Sequence, residues 1–109
     1  MGVSTNSSEL EHQMHSYHAA TSTLFQKLDR EAVLLNLHTE QYFGLDPVGT
    51  RMWQVLAETN SLDKTVQTVL GEFEVDEARL RQDLAELVAK LVEKGLLVAK
   101  VVQPDGTLQ

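Results

Sequence analysis

Cysteine is absent from the chain, and with it go disulfides, zinc–thiolate sites, iron–sulfur clusters and thiol nucleophiles. Basic residues are scarce: nine Lys and Arg stand against sixteen Asp and Glu, for a net charge of −7. An acidic surface repels phosphate backbones, so nucleic acid is not an expected partner. The same surface would attract a basic peptide or protein, or serve solubility alone. No apolar run approaches the roughly 20 residues of a membrane span, so no membrane is expected either. The first residues lack a basic stretch followed by an apolar one, which leaves the cytoplasm as the expected location. What is present suits one small domain: 109 residues, 42% of them hydrophobic.

Residues 1–22 are polar, rich in Ser, Thr and His, and carry no apolar periodicity. They read as a flexible tail or a weakly docked arm. From Leu24 the pattern changes. Leu24–Leu28 suits a first short strand, and Ala32–Leu37 a second, with Val33, Leu35 and Leu37 on one face. A polar turn, His38-Thr39-Glu40, leads to Gln41–Leu45, where Phe43 and Leu45 share a face and Tyr42 points the other way. Two short runs around a short turn predict a hairpin. Gly44 inside the second run predicts a bulge or bend, or else a place where another backbone comes close.

Three amphipathic helices follow. Asp46 is an N-cap with Pro47 at the first helical position, and Val48, Met52, Val55 and Leu56 make one stripe beside Trp53. Trp53 reads as a core or edge anchor. Ser61 caps the second helix, with a stripe at Leu62, Val66, Val69, Leu70 and Phe73. Asp76 caps the third, whose stripe is Leu80, Leu84, Leu87, Val88 and Leu91 and whose stop signal is Gly95. The run after Gly95 suits a terminal strand or a docked extension, and residues 103–109 a flexible C-terminal tail. Strands that precede helices without alternating predict an α+β fold. A small N-terminal antiparallel sheet of two to three strands is followed by three helices, the last two suiting a helix-turn-helix.

One set of segments resembles a known family. It runs from Leu35 through His38, Tyr42-Phe43-Gly44-Leu45-Asp46 and Gly49 to Trp53 and Leu56, and continues in Phe73–Asp76 and Leu91–Leu97. Together these are similar to the PqqD-like family, the peptide-recognition modules of ribosomal peptide natural-product pathways, known as RiPP recognition elements. Asp46 stands where the family usually has Asn, and Gln41 where Gly commonly precedes the Tyr-Phe pair. The resemblance covers about residues 24–98 and implies a winged helix-turn-helix. It defines a peptide-binding domain at 23–102 and outer segments at 1–22 and 103–109.

The resemblance further implies that the leader of a precursor peptide pairs with the strand Gln41–Leu45 and lies in the groove between it and the third helix. It also implies delivery to a maturation enzyme, such as a leader peptidase or a radical enzyme, in a lasso-peptide-like or PQQ-like pathway. The residues allow this independently. An edge strand has unpaired N–H and C=O groups that an extended peptide satisfies, while side-chain pockets supply selectivity. The expected peptide-binding residues are Gln41, Tyr42, Phe43, Gly44 and Leu45 on the strand, and Arg79, Leu80, Asp83 and Leu87 on the helix. Leu84, Leu87 and Val88 are expected to serve mostly the core.

The residues speak less well for other functions. No Ser/His/Asp or carboxylate constellation can be placed, so no enzyme, catalytic residue or cofactor is expected. His12, His15 and His18 would share one side of a helix and suit a metal, but they sit in a polar segment and no metal site is expected. A DNA-binding winged helix-turn-helix regulator is the main alternative. Against it, the third helix carries Asp76, Glu77, Asp83, Glu86 and Glu93 against Arg79, Arg81, Lys90 and Lys94, with no basic surplus.

Overall fold

The computed structural model describes residues 14–102. In chain order the elements are β1 (Met14–Ala19), β2 (Thr23–Leu28), β3 (Glu31–Asn36), β4 (Gln41–Leu45), α1 (Pro47–Thr59), α2 (Leu62–Glu72), α3 (Glu77–Glu93) and β5 (Leu97–Val102). The fold is α+β, with antiparallel strands followed by three helices. The strands form two sheets, a three-stranded one in the order β2-β3-β4 and a two-stranded ribbon of β1 with β5.

The helix starts are built by the caps that the sequence indicates. The Asp46 carboxylate accepts from the Gly49 N–H at 2.7 Å, the Ser61 hydroxyl from the Lys64 N–H at 3.2 Å, and the Asp76 carboxylate from the Arg79 N–H at 3.0 Å. Each satisfies a donor that the first helical turn leaves free. α3 ends in a Schellman arrangement: the Gly95 N–H donates to the Val92 carbonyl and the Leu96 N–H to the Leu91 carbonyl. Gly95 has φ 73°, a left-handed conformation that glycine adopts without strain. Leu91 and Leu96, which such a motif brings together, are both buried.

The core lies between the inner face of the three-stranded sheet and the helices. Ala32, Leu34 and Leu45 meet Met52, Trp53 and Leu56 of α1, Val66 and Val69 of α2, and Leu80, Leu84, Val88 and Leu91 of α3. Trp53 is a core anchor, 4% exposed.

Two expectations are corrected. First, the segment 1–22 is expected to be a flexible tail or a weakly docked arm, but its part Met14–Ala19 is a strand paired with Leu97–Val102 from Met14↔Val102 to Ala19↔Leu97. It is also tied to the α1–α2 junction, where the Asn60 amide donates to the Tyr17 carbonyl at 2.9 Å and the Tyr17 N–H to the Asn60 carbonyl at 3.3 Å. Residues 1–13 and 103–109 lie outside the described residues.

Within this strand, alternation puts His15 and His18 on opposite faces; His12 is outside the described residues. Second, the run Ala32–Leu37 is expected to carry Val33, Leu35 and Leu37 on one face. Val33 and Leu35 do share the outer, half-buried face of β3, but the strand ends at Asn36 and Leu37 is exposed in the turn, while the buried face is Ala32, Leu34 and Asn36. Asn36 occupies a core-facing position because both ends of its amide are bonded. It donates to the Lys94 carbonyl at 2.9 Å and accepts from the His38 and Thr39 N–H groups at 2.9 and 3.2 Å. A buried polar group with all its partners carries little penalty.

Candidate functional site

β4 is an edge of the three-stranded sheet. Its pairing with β3 is regular along its whole length, from Ala32↔Leu45 to Asn36↔Gln41. Alternate residues of β4 therefore turn their N–H and C=O groups away from β3. α3 runs opposite this edge, and a groove of about 480 Å³ opens between them.

Local chemistry sets the two walls. At one end Asp46 caps α1 directly after β4, and the buried Thr50 hydroxyl donates to the Leu45 carbonyl at 3.4 Å. The strand and the first turn of α1 thus form one continuous wall. Gly49 belongs to this corner: a Cβ there would stand 3.1 Å from the Asp46 carboxylate that the Gly49 N–H itself approaches. At the other end the Asn36 amide holds the Lys94 carbonyl, which anchors the C-terminus of α3 to the β3–β4 hairpin. A Cβ at Gly95 would meet that same amide at 3.1 Å. The spacing between β4 and α3 is fixed by this clasp.

The groove is apolar below and charged at the rim. Phe43, Leu45, Val48, Met52, Leu80 and Leu87 supply its apolar surface. Arg79 and Asp83, one turn apart on α3, form an exposed ion pair at 3.2 Å, and Glu86 and Lys90 continue the rim. A peptide entering here meets apolar contacts on its inward side and both signs of charge along one flank.

The expected binding residues divide. Phe43, Gly44 and Leu45 on the strand line the groove together with Arg79, Leu80, Asp83 and Leu87 on the helix. Gln41 and Tyr42 do not line it; they lie farther along the same edge, with Tyr42 75% exposed on the outer sheet face. Leu80 serves both core and groove, being 2% exposed, and Leu87 is half-buried at the lip. Sequence reasoning missed Asp46, Val48, Gly49, Met52, Val75, Glu86 and Lys90. A signal for the first four was available: a helix capped at the residue after the edge strand must run its first turn beside that edge.

The family pattern of coenzyme PQQ synthesis protein D (PqqD) matches residues 31–97. The chain belongs to the PqqD family. Two solved structures resemble this PqqD-family chain over most of its length. The first is TbiB1 in complex with the TbiA(beta) leader peptide, 35% identical, with a TM-score of 0.68 and an alignment covering 73% of this chain and 93% of that one. The second is lasso peptide synthetase B1 complexed with its leader peptide, 24% identical, TM-score 0.68, covering 76% and 98%. At that identity the second speaks for the fold alone. No curated protein matches the chain closely enough to count as a relative. The PqqD match begins at β3, so β1 and β2 lie outside it, and it ends at the first residue of β5.

Proposed function

We propose that the protein binds the leader region of a ribosomally made precursor peptide by adding it to β4 as a further strand, and presents it to a maturation enzyme of a lasso-peptide-like or PQQ-like pathway. The carrying observation is the edge of β4, which no further strand among the described residues pairs with, facing α3 across an apolar groove. The 35% identical TbiB1 holds a leader peptide, which supports the same class of ligand here. Main-chain bonds to the edge contribute about 1 kcal/mol each, so the apolar floor must supply most of the selectivity. Gln41, Tyr42, Phe43, Gly44 and Leu45 are assigned to the strand side of the site and Arg79, Leu80, Asp83 and Leu87 to the helix side.

Binding without catalysis fits the groove chemistry. Among the described residues its polar side chains are the Asp46 helix cap, the exposed Arg79–Asp83 ion pair, and Glu86 and Lys90 on the rim, and none sets a nucleophile against a base. The finer fold reading, a winged helix-turn-helix with α2 and α3 as its helices, belongs to the same proposal and is supported by the short connection 73–76 between them. So does a binding domain that includes β1 as well as residues 23–102. No helix among the described residues is long and apolar enough to cross a membrane. A cytoplasmic site of action follows from the proposed ligand, which emerges from the ribosome.

The test is fluorescence polarisation with a labelled TbiA(beta) leader peptide, against wild type and two proline variants, Gln41→Pro and Tyr42→Pro. Neighbouring residues of an edge strand direct their N–H groups to opposite sides. One of the two variants therefore removes only an outward donor and keeps the wild-type fold. That variant is expected to lose leader binding. Wild-type affinity in a folded proline variant overturns strand addition at β4.

A further inference from the structure

A glycine in a strand weakens it, so its presence asks for a reason. The usual reasons fail for Gly44. Its φ is not positive, since Gly95 is the glycine so placed among the described residues. The β3–β4 register passes through Val33↔Gly44 without a bulge, which removes the bend expected from sequence. A Cβ built at Gly44 meets no atom within 4 Å. Nothing in the folded chain requires glycine there, and the reason must lie in what approaches from outside.

The position of Gly44 indicates the visitor. Gly44 borders the groove through its backbone, but cross-strand partners share a sheet face, so a side chain at this position would stand on the outer face in one row with Val33 and Gln26. The neighbouring outer row is Leu24, Leu35 and Tyr42. Val33 and Leu35 are half-buried, and Leu24 is 47% exposed. The outer face is thus apolar, and over Gly44 it has a gap at its open edge. A strand added to β4 places one residue opposite Gly44 on this face. Strands lie about 4.8 Å apart, so the added residue is about two spacings from Val33. An aromatic or long unbranched apolar side chain crosses the bare Cα and reaches Val33; a short one does not. Aromatic side chains lying over edge glycines are a known way to stabilise such a strand pair.

We propose that Gly44 is a specificity determinant: it forms a shallow seat on the outer sheet face for an aromatic or long unbranched apolar side chain of the bound leader, opposite in direction to the residues that enter the groove. The inference rests on strand addition to β4. It implies that the leader is read from both faces, by the groove on the inside and by Gly44, Val33 and Tyr42 on the outside.

The experiment uses Gly44→Val and Gly44→Ala with the TbiA(beta) leader peptide as probe, followed by thermal melting and fluorescence polarisation. Because the new Cβ meets nothing within 4 Å, both variants are expected to melt no lower than wild type. Gly44→Val is expected to weaken leader binding by about tenfold or more, and Gly44→Ala by less. An alanine scan of the peptide supplies the second measurement. One large residue should matter for wild type and lose its importance in Gly44→Val, as two groups in contact must. If Gly44→Val melts lower, Gly44→Ala and the peptide scan on wild type decide the matter. Gly44→Val affinity within about twofold of wild type, or a scan with no coupled position, overturns this inference and leaves strand addition standing. A wild-type protein that does not bind the leader at all overturns both.

Discussion

The three-stranded sheet has two edges, and they differ in every respect but the exposed backbone. β4 reads Gln-Tyr-Phe-Gly-Leu, without a charge, and faces α3 across the groove. β2 reads Thr-Leu-Phe-Gln-Lys-Leu, carries Lys27, and has its start tied down. The Thr23 hydroxyl donates to the Leu96 carbonyl at 3.1 Å, and the Ala20 N–H to the same carbonyl at 3.0 Å. A lysine on an edge is a common guard against unwanted strand pairing. Unpaired peptide groups alone do not make a receptor. The β4 edge adds a second wall that gives an incoming strand somewhere to put its side chains.

This contrast can be broken by experiment. The largest effect is expected from prolines placed on each edge in turn. The folded member of Gln41→Pro and Tyr42→Pro should lose leader binding, while the folded member of Gln26→Pro and Lys27→Pro should retain it, both read by fluorescence polarisation. Loss of binding on both edges would abolish the distinction. Next comes the helix wall. Leu87→Asp puts a charge on the half-buried lip of the groove and should weaken binding by about tenfold or more; Leu87 also packs on the core, so the melting midpoint should fall too and binding is read at a temperature where the variant is folded. A wild-type dissociation constant for that variant would remove α3 from the site.

The third effect concerns the clasp that spaces the walls. Asn36→Ala leaves the Lys94 carbonyl and two turn N–H groups without their partner, at a cost of about 2 kcal/mol. In a domain of this size that lowers the melting midpoint by roughly 10 °C. Calorimetry checks it, and an unchanged midpoint would mean that the clasp holds nothing.

The smallest effect is expected outside the groove, at the Arg51–Glu72 pair that links α1 to α2 at 2.7 Å. Its hydrogen bond to Arg51 holds the Glu72 carboxyl below the ordinary carboxylate range. A carboxyl with a depressed pKa adds stability above its unfolded value, and that share is lost as pH falls through the folded one. Both side chains are solvated, so the contribution is small. Melting curves of Glu72→Gln and wild type should nearly coincide at neutral pH and merge fully in acid.

What was legible in the sequence is what is decided locally. Asp46, Ser61 and Asp76 cap helices through bonds to residues three positions on, and Gly95 ends α3 through bonds to the turn before it. β4 was read with its bounds intact because a polar turn and an N-cap fence it on both sides. The misreadings all have distant partners. β1 is not legible as a strand because the strand that completes it begins at Leu97. The buried place of Asn36 is not legible either, because Lys94, which its amide holds, lies far along the chain. The groove was half legible: the stripe of α3 and the edge strand were visible, but Val48, Met52 and Val75 joined only once the tertiary fold placed them.

Pairing Met14 with Val102 puts the incoming and outgoing ends of the described chain side by side, about one strand spacing apart. A unit with adjacent ends can be spliced into a surface loop of another protein without stretching host or guest. The ribbon therefore makes this module portable. The same proposed binding surface would work in a separate protein or as an insert within a larger one.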